Sequence, residues 1–356
     1  MRFVLAVAAI CLVAGPLRAQ STGDWMVRLT LQGQSIEGSP LAWDASAVHL
    51  LGRDGRLWTF SPDRATAFRQ TASRFHSYSV SEFRAALLRD LGGQFEVTGT
   101  THYLVAHRRD EGDRWAERFE QLYRSFVHYF TVHGFAVSQP PFPLLGIVCR
   151  DREEFERYSA EHASATQAGV LGYYNLETNR IVLYDMGDGS AAWQRNASVL
   201  IHEATHQTAF NTGVHSRYTP PPRWLAEGLA MLFEAPGVYD SHDHPESSER
   251  VNPDRLRQFL ALAPQHKPAA LVTLIGSDDP FQEAPAAAYA ESWALTFYLV
   301  ENEPRKYARY LALTARHEPF TSSSREARVA EFTTVFGSDW RMLEARMLRF
   351  LNGASR

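Results

Sequence analysis

Two histidines four residues apart, the first followed directly by a glutamate, occur at His202-Glu203-Ala204-Thr205-His206, behind the apolar lead Val199-Leu200-Ile201. The two imidazoles can act together only on a helix, where residues at i and i+4 share a face with Cβ atoms about 5–6 Å apart. The segment is therefore expected to be helical, with both histidines on one face. Such a pair can grip one metal ion at about 2.0–2.1 Å, while Glu203 is turned aside to hold a water molecule. With 14 histidines in 356 residues, two helix histidines with ordinary hydrogen bonds are the competing reading, so the next segment matters.

A catalytic zinc site needs a third protein ligand and an open fourth position. In the metzincin pattern H-E-x-x-H-x-x-G-x-x-H that ligand would be residue 212, which is Thr212, so that class is excluded. Pro220-Pro221-Pro222 instead ends an irregular link, and Arg223-Trp224-Leu225-Ala226-Glu227-Gly228-Leu229-Ala230 starts a new helix. Glu227 is an acidic residue within an apolar run, and a buried carboxylate needs a partner, which a metal supplies. Glu234, seven residues on, is expected on the same face as a carboxylate that orients a histidine. The expected site is one Zn²⁺ per chain on His202, His206 and Glu227. Glu203 would serve as general base and Tyr289 as oxyanion donor, with His215 and Tyr218 as further candidates behind it.

The chain resembles the gluzincin group of zinc peptidases, in which H-E-x-x-H is completed by a glutamate on a following helix. Trp224-Leu225-Ala226-Glu227-Gly228-Leu229-Ala230 is similar to the W-L-x-E-G-x-A segment of aminopeptidase N relatives. No G-x-M-E-N motif precedes the histidines. Ala168-Gly169-Val170-Leu171-Gly172-Tyr173-Tyr174 stands in its place, without the amine-anchoring glutamate of an exopeptidase. Over residues 172–300 the chain more closely resembles an uncharacterised family of exported bacterial gluzincin-like proteins. It does so through Gly172-Tyr173-Tyr174, the 202–207 segment, the 224–230 segment and Tyr289-Ala290-Glu291-Ser292-Trp293. The resemblance implies a zincin-like catalytic domain of α+β class, with a small mixed sheet, an active-site helix and a mostly helical C-terminal part.

The rest of the chain fits that frame. Arg2, the apolar run 3–15 and the small residue Ala19 read as a signal peptide over residues 1–19, cut after Ala19. The expected product is periplasmic or secreted, with no membrane span after signal removal. Alternation at Trp25, Val27, Leu29 and Leu31, and a turn at Asp54-Gly55 between apolar runs 48–51 and 57–60, predict a small β-rich module over 20–72. The metallopeptidase domain then covers 73–356, helical from about 250. Ser79 with Glu82 predicts a capped helix start, Trp115, Phe119, Leu122, Phe126 and Phe130 one apolar helix face over 112–132, and Ser338 the cap of the last helix. Segments 169–174 and 181–184 predict a hairpin whose edge could pair with an extended peptide.

Other clusters carry less. Ser241-His242-Asp243-His244 is expected to be a solvated loop, Asn196-Ala197-Ser198 falls within a helix, and Cys149 is expected in the core. With a net charge of −4 and scattered arginines, no nucleic-acid partner is expected. Two function classes stay open: an exported zinc-dependent metallohydrolase acting on a peptide or protein substrate, and a non-catalytic zinc-containing binding protein of the cell envelope that uses the β-module for recognition.

Overall fold

The computed structural model describes residues 25–109, 114–162, 169–187, 189–262 and 270–354. The expected signal segment and its cleavage site after Ala19 lie outside the described residues.

Strands β1 (Met26–Leu31), β2 (Gln34–Trp43), β3 (Val48–Gly52), β4 (Leu57–Phe60) and β5 (Ala65–Ala72) form one sheet in the order β4-β3-β2-β1-β5, antiparallel at every pairing. Val27 and Leu29 point into a small core with Ile36, Leu50, Phe60 and Ala65, while Arg28 between them is exposed, as the two-residue side-chain period requires. The β1–β2 turn has both central residues at positive φ, Gln32 at 50° and Gly33 at 83°, the conformation that matches strand twist across a two-residue turn.

The second sheet contains β6 (Phe95–Gly99), β7 (Tyr103–Arg108), β8 (Leu144–Cys149), β9 (Gly172–Asn175) and β10 (Arg180–Tyr184), in the order β6-β7-β8-β10-β9. The central strands β7, β8 and β10 are parallel, and β6 and β9 are antiparallel edges. Every residue of β8 is buried, because helices cover both faces. One face carries α1 (Val80–Leu91) and α3 (Arg152–His162), with Phe83, Leu87 and Phe155 packed on Leu104, Ile147 and Val182. The other carries α2 (Ala116–Val132) and α4 (Ser190–Asn211), with Phe119 and Leu200 packed among Val105, Val148 and Ile181.

The C-terminal part is helical: α5 (Arg223–Phe233), α6 (Pro236–Tyr239), α7 (Pro253–Leu262), α8 (Ala270–Gly276), α9 (Pro280–Glu283), α10 (Pro285–Asn302), α11 (Pro304–Thr314), α12 (Arg325–Phe336) and α13 (Trp340–Ala354). All residues of 292–300 are buried, which makes α10 the hub of this half, as a helix apolar on all sides must be. Its Trp293 and Phe297 belong to the same core as Phe119 and Leu200, so the sheet and the helical half share one interior. The fold is α+β.

The capping box at Ser79 and Glu82 is present. The cap of α13 differs from expectation: Asp339, not Ser338, accepts the Met342 N–H at 2.9 Å, because Asp339 is the residue directly before the first helical position. The apolar helix expected over 112–132 begins at Ala116, and residues 110–113 are outside the described set.

Candidate metal centre

Helix α4 carries Leu200, Ile201, Ala204, Thr205, Gln207 and Thr208 inward and so leaves His202, Glu203 and His206 on its less covered side. The His202 and His206 rings stand edge to face, with centroids 4.8 Å apart. Helix α5 follows the proline-rich link and is buried along most of its length, including Trp224, Leu225 and residues 228–233. Gly228 lets it approach α10: a Cβ at this position would lie 2.7 Å from the Ser292 carbonyl oxygen and would collide with the Thr296 side chain. That close packing presents the neighbouring Glu227 to the two histidines.

His202 Nε2 and His206 Nε2 are 3.2 Å apart, and Glu227 Oε2 lies 3.4 Å from the first and 3.6 Å from the second. Ligands at about 2.0–2.1 Å in a tetrahedron are separated by about 3.3–3.4 Å, so three donor atoms at these spacings fit one face of such a site. Among the described residues this is the one group of three or more potential metal ligands. Their side chains are mostly buried, 12–18% exposed, and the triad is one donor short of the four protein ligands that close a structural zinc site.

The outer partners suit metal binding. Glu234 Oε1 accepts from His202 Nδ1 at 2.8 Å, and its other oxygen takes the Asn252 amide at 2.8 Å with Arg255 Nε at 3.9 Å. A carboxylate on Nδ1 directs the Nε2 lone pair of His202 into the cluster. Burial alone would depress the His202 imidazole, but hydrogen bonds to Glu227 and Glu234 hold it well above its ordinary value. Burial likewise works to raise the Glu227 carboxyl, yet the two histidines keep it well below the usual carboxylate range. The polypeptide therefore concentrates negative potential between three donors, as a cation site must.

Glu203 stands beside the cluster. Its Oε2 accepts the main-chain N–H of Tyr174 on β9 at 2.7 Å, a bond that does not engage Oε1. Burial, reinforced by the charge of Glu227, raises its pKa, and the histidines oppose the shift. A bound dication would draw it back down.

Tyr289, near the start of α10, borders the same site. Its hydroxyl accepts from the Arg223 guanidinium at 3.0 Å, and Arg223 Nε lies 3.6 Å from Glu227 Oε1. The guanidinium also covers the Phe281 ring at 4.7 Å. Burial and the Glu227 charge raise the phenol pKa, so the hydroxyl keeps its proton at neutral pH. His215 packs at 5.3 Å from Phe210, almost fully buried, with neither ring nitrogen hydrogen bonded. Tyr218 turns to Phe320, 5.9 Å away. His242 is 99% exposed, in keeping with a solvated loop, and Cys149 is buried, with its thiol pKa pushed up by burial. Asn196 is buried in α4, where its side chain bonds Asp185 and the Met186 N–H.

Arg223 was not singled out from the sequence, although it lies four residues before Glu227 on one helix face, which is a usable signal. Tyr174 holds Glu203 through its main chain, and Asn252 reaches Glu234 from a loop. Neither contact leaves a trace in residue spacing.

Residues 196–321 match a family described as "Protein of unknown function (DUF1570)". The match takes in His202, Glu203, His206, Glu227 and Tyr289 and leaves out both sheets. A comparison with curated proteins finds no match. No helix among the described residues is long and apolar enough to cross a membrane.

Proposed function

We propose that this protein is a zinc-dependent hydrolase of the gluzincin kind that cleaves peptide bonds. The observation that carries the reading is the convergence of His202, His206 and Glu227 beside a carboxylate, Glu203, that takes no part in the triad. His202, His206 and Glu227 would hold the divalent ion, which when bound would supply Lewis acidity towards a substrate carbonyl and water. Glu203 Oε1 takes the proton released when water attacks the carbonyl carbon, and returns it to the amine nitrogen as the C–N bond breaks. Tyr289 donates its O–H to the developing oxyanion, with Arg223 bonded to the far side of the same oxygen. β9 lies at the sheet edge, where an extended peptide can add as a further strand.

In this reading the protein is exported by its N-terminal segment and acts in the periplasm or outside the cell on a peptide or protein substrate. The alternative, a zinc-containing binding protein without catalysis, gives no role to a base beside an open coordination position. Metal analysis of the purified chain, with a peptide-library digest by wild type and Glu203→Gln, tests the proposal. One Zn²⁺ per chain in both proteins is expected, with hydrolysis by the variant lower by about 10²–10⁴-fold. Equal turnover would remove Glu203 from the mechanism, and cleavage by neither protein would favour the binding role.

A further inference from the structure

The N-terminal sheet does not stand apart from the site. Its β3–β4 turn rests against the turn of the β9–β10 hairpin, where Leu57 donates its main-chain N–H to the Glu177 carbonyl at 2.7 Å. Arg56 pairs with the Glu177 carboxylate at 3.2 Å. The buried Arg217 donates to the carbonyls of both Gly55, at 2.9 Å, and Leu176, at 2.7 Å, so one guanidinium ties the two turns together. Gly55 has φ +81°, and a Cβ there would meet the Phe142 ring at 3.3 Å and the Asn179 amide at 3.5 Å.

From the same hairpin a second set of bonds reaches α4. Asn179 exchanges paired amide hydrogen bonds with Asn211 at 2.9 and 2.8 Å, and its carbonyl accepts from Gln207 at 2.8 Å. The Tyr174 hydroxyl donates to Asn179 Oδ1 at 2.7 Å, while the Tyr174 N–H holds Glu203. An edge hairpin is ordinarily among the first parts of a sheet to open. A reacting carboxylate, in contrast, must be held to about 0.5 Å by its supporting groups.

We infer that the N-terminal sheet is a brace for the candidate site: through Gly55, Leu57 and Arg217 it fixes the β9–β10 hairpin, and with it the Tyr174 N–H that orients Glu203. Arg217 and Gly55 are positioning residues. The inference rests on the proposed role of Glu203 only where activity is measured.

The test compares full-length wild type, Arg217→Met and Gly55→Ala, each loaded with zinc, by amide hydrogen exchange. Zinc content and exchange in β8 should stay at wild-type levels, while residues 172–180 exchange at least ~10-fold faster in the variants. On any peptide the wild type cleaves, kcat should fall at least ~10-fold with KM little changed. Should Arg217→Met fail to fold, Gly55→Ala, which removes no hydrogen-bonding group, decides alone. Unchanged exchange at 172–180 in a folded variant overturns the inference, as does a rise in KM with kcat intact, which would make the sheet a substrate-binding module. If the wild type cleaves nothing, the peptidase reading fails and the exchange result still decides the brace.

Discussion

Removing Glu234 isolates the contribution of an outer partner to metal affinity. Its carboxylate is held on both oxygens, by His202 Nδ1 on one side and by Asn252 on the other, and its side chain is only 13% exposed. Glu234→Ala leaves the Nδ1–H of His202 without an acceptor and frees the ring to turn or to adopt the other tautomer. Loss of such a partner typically weakens metal binding about 10–100-fold, or about 1.4–2.7 kcal/mol. Glu234→Gln keeps an acceptor oxygen but loses the charge, so it belongs at the low end of that range and the alanine variant at the high end. The assay is competition of zinc against a chromophoric chelator near neutral pH, with denaturant unfolding of the metal-free proteins as the control for fold. Folded variants that bind zinc within twofold of wild type would show that Glu234 does not orient a ligand, and the assignment of His202 would need revision.

Tyr289→Phe should lower kcat by about 10²–10³ with zinc content unchanged, and retention of full activity would reduce Tyr289 to packing. Gly228→Ala should cost about 1–3 kcal/mol in urea unfolding and weaken zinc binding, since α5 must move off α10 to admit the methyl group. His215, lowered by burial to about 3, is neutral when folded. Its contribution is therefore fully present above the unfolded value of about 6.5 and is lost as pH falls towards 3, at up to about 1.4 kcal/mol per pH unit. Denaturant unfolding of metal-free protein between pH 6 and 4 should show a flatter pH dependence in His215→Leu, and parallel slopes for the two proteins would refute it.

Local regularities in the sequence determined the elements and the nearest neighbours within them. The spacing of His202 and His206, the apolar faces of α2 and α5, the alternation in β1 and the Ser79–Glu82 box each depend on a period or a cap that involves only a few consecutive residues. Glu227 was legible for a related reason, because a carboxylate in an apolar run demands a partner wherever it is buried. Tertiary structure alone decided what crosses between elements. Asn252 reaches Glu234 from another segment, the Tyr174 main chain holds Glu203, and Arg217 joins the turn at Gly55 to the turn at Leu176, 121 residues further along the chain. Such contacts depend on loop paths and on the angle at which packed helices and sheets meet, and main-chain donors carry no side-chain identity to read. The sequence thus specified which groups could bind a metal, while packing placed their donor atoms 3.2–3.6 Å apart and set Glu203 at their side.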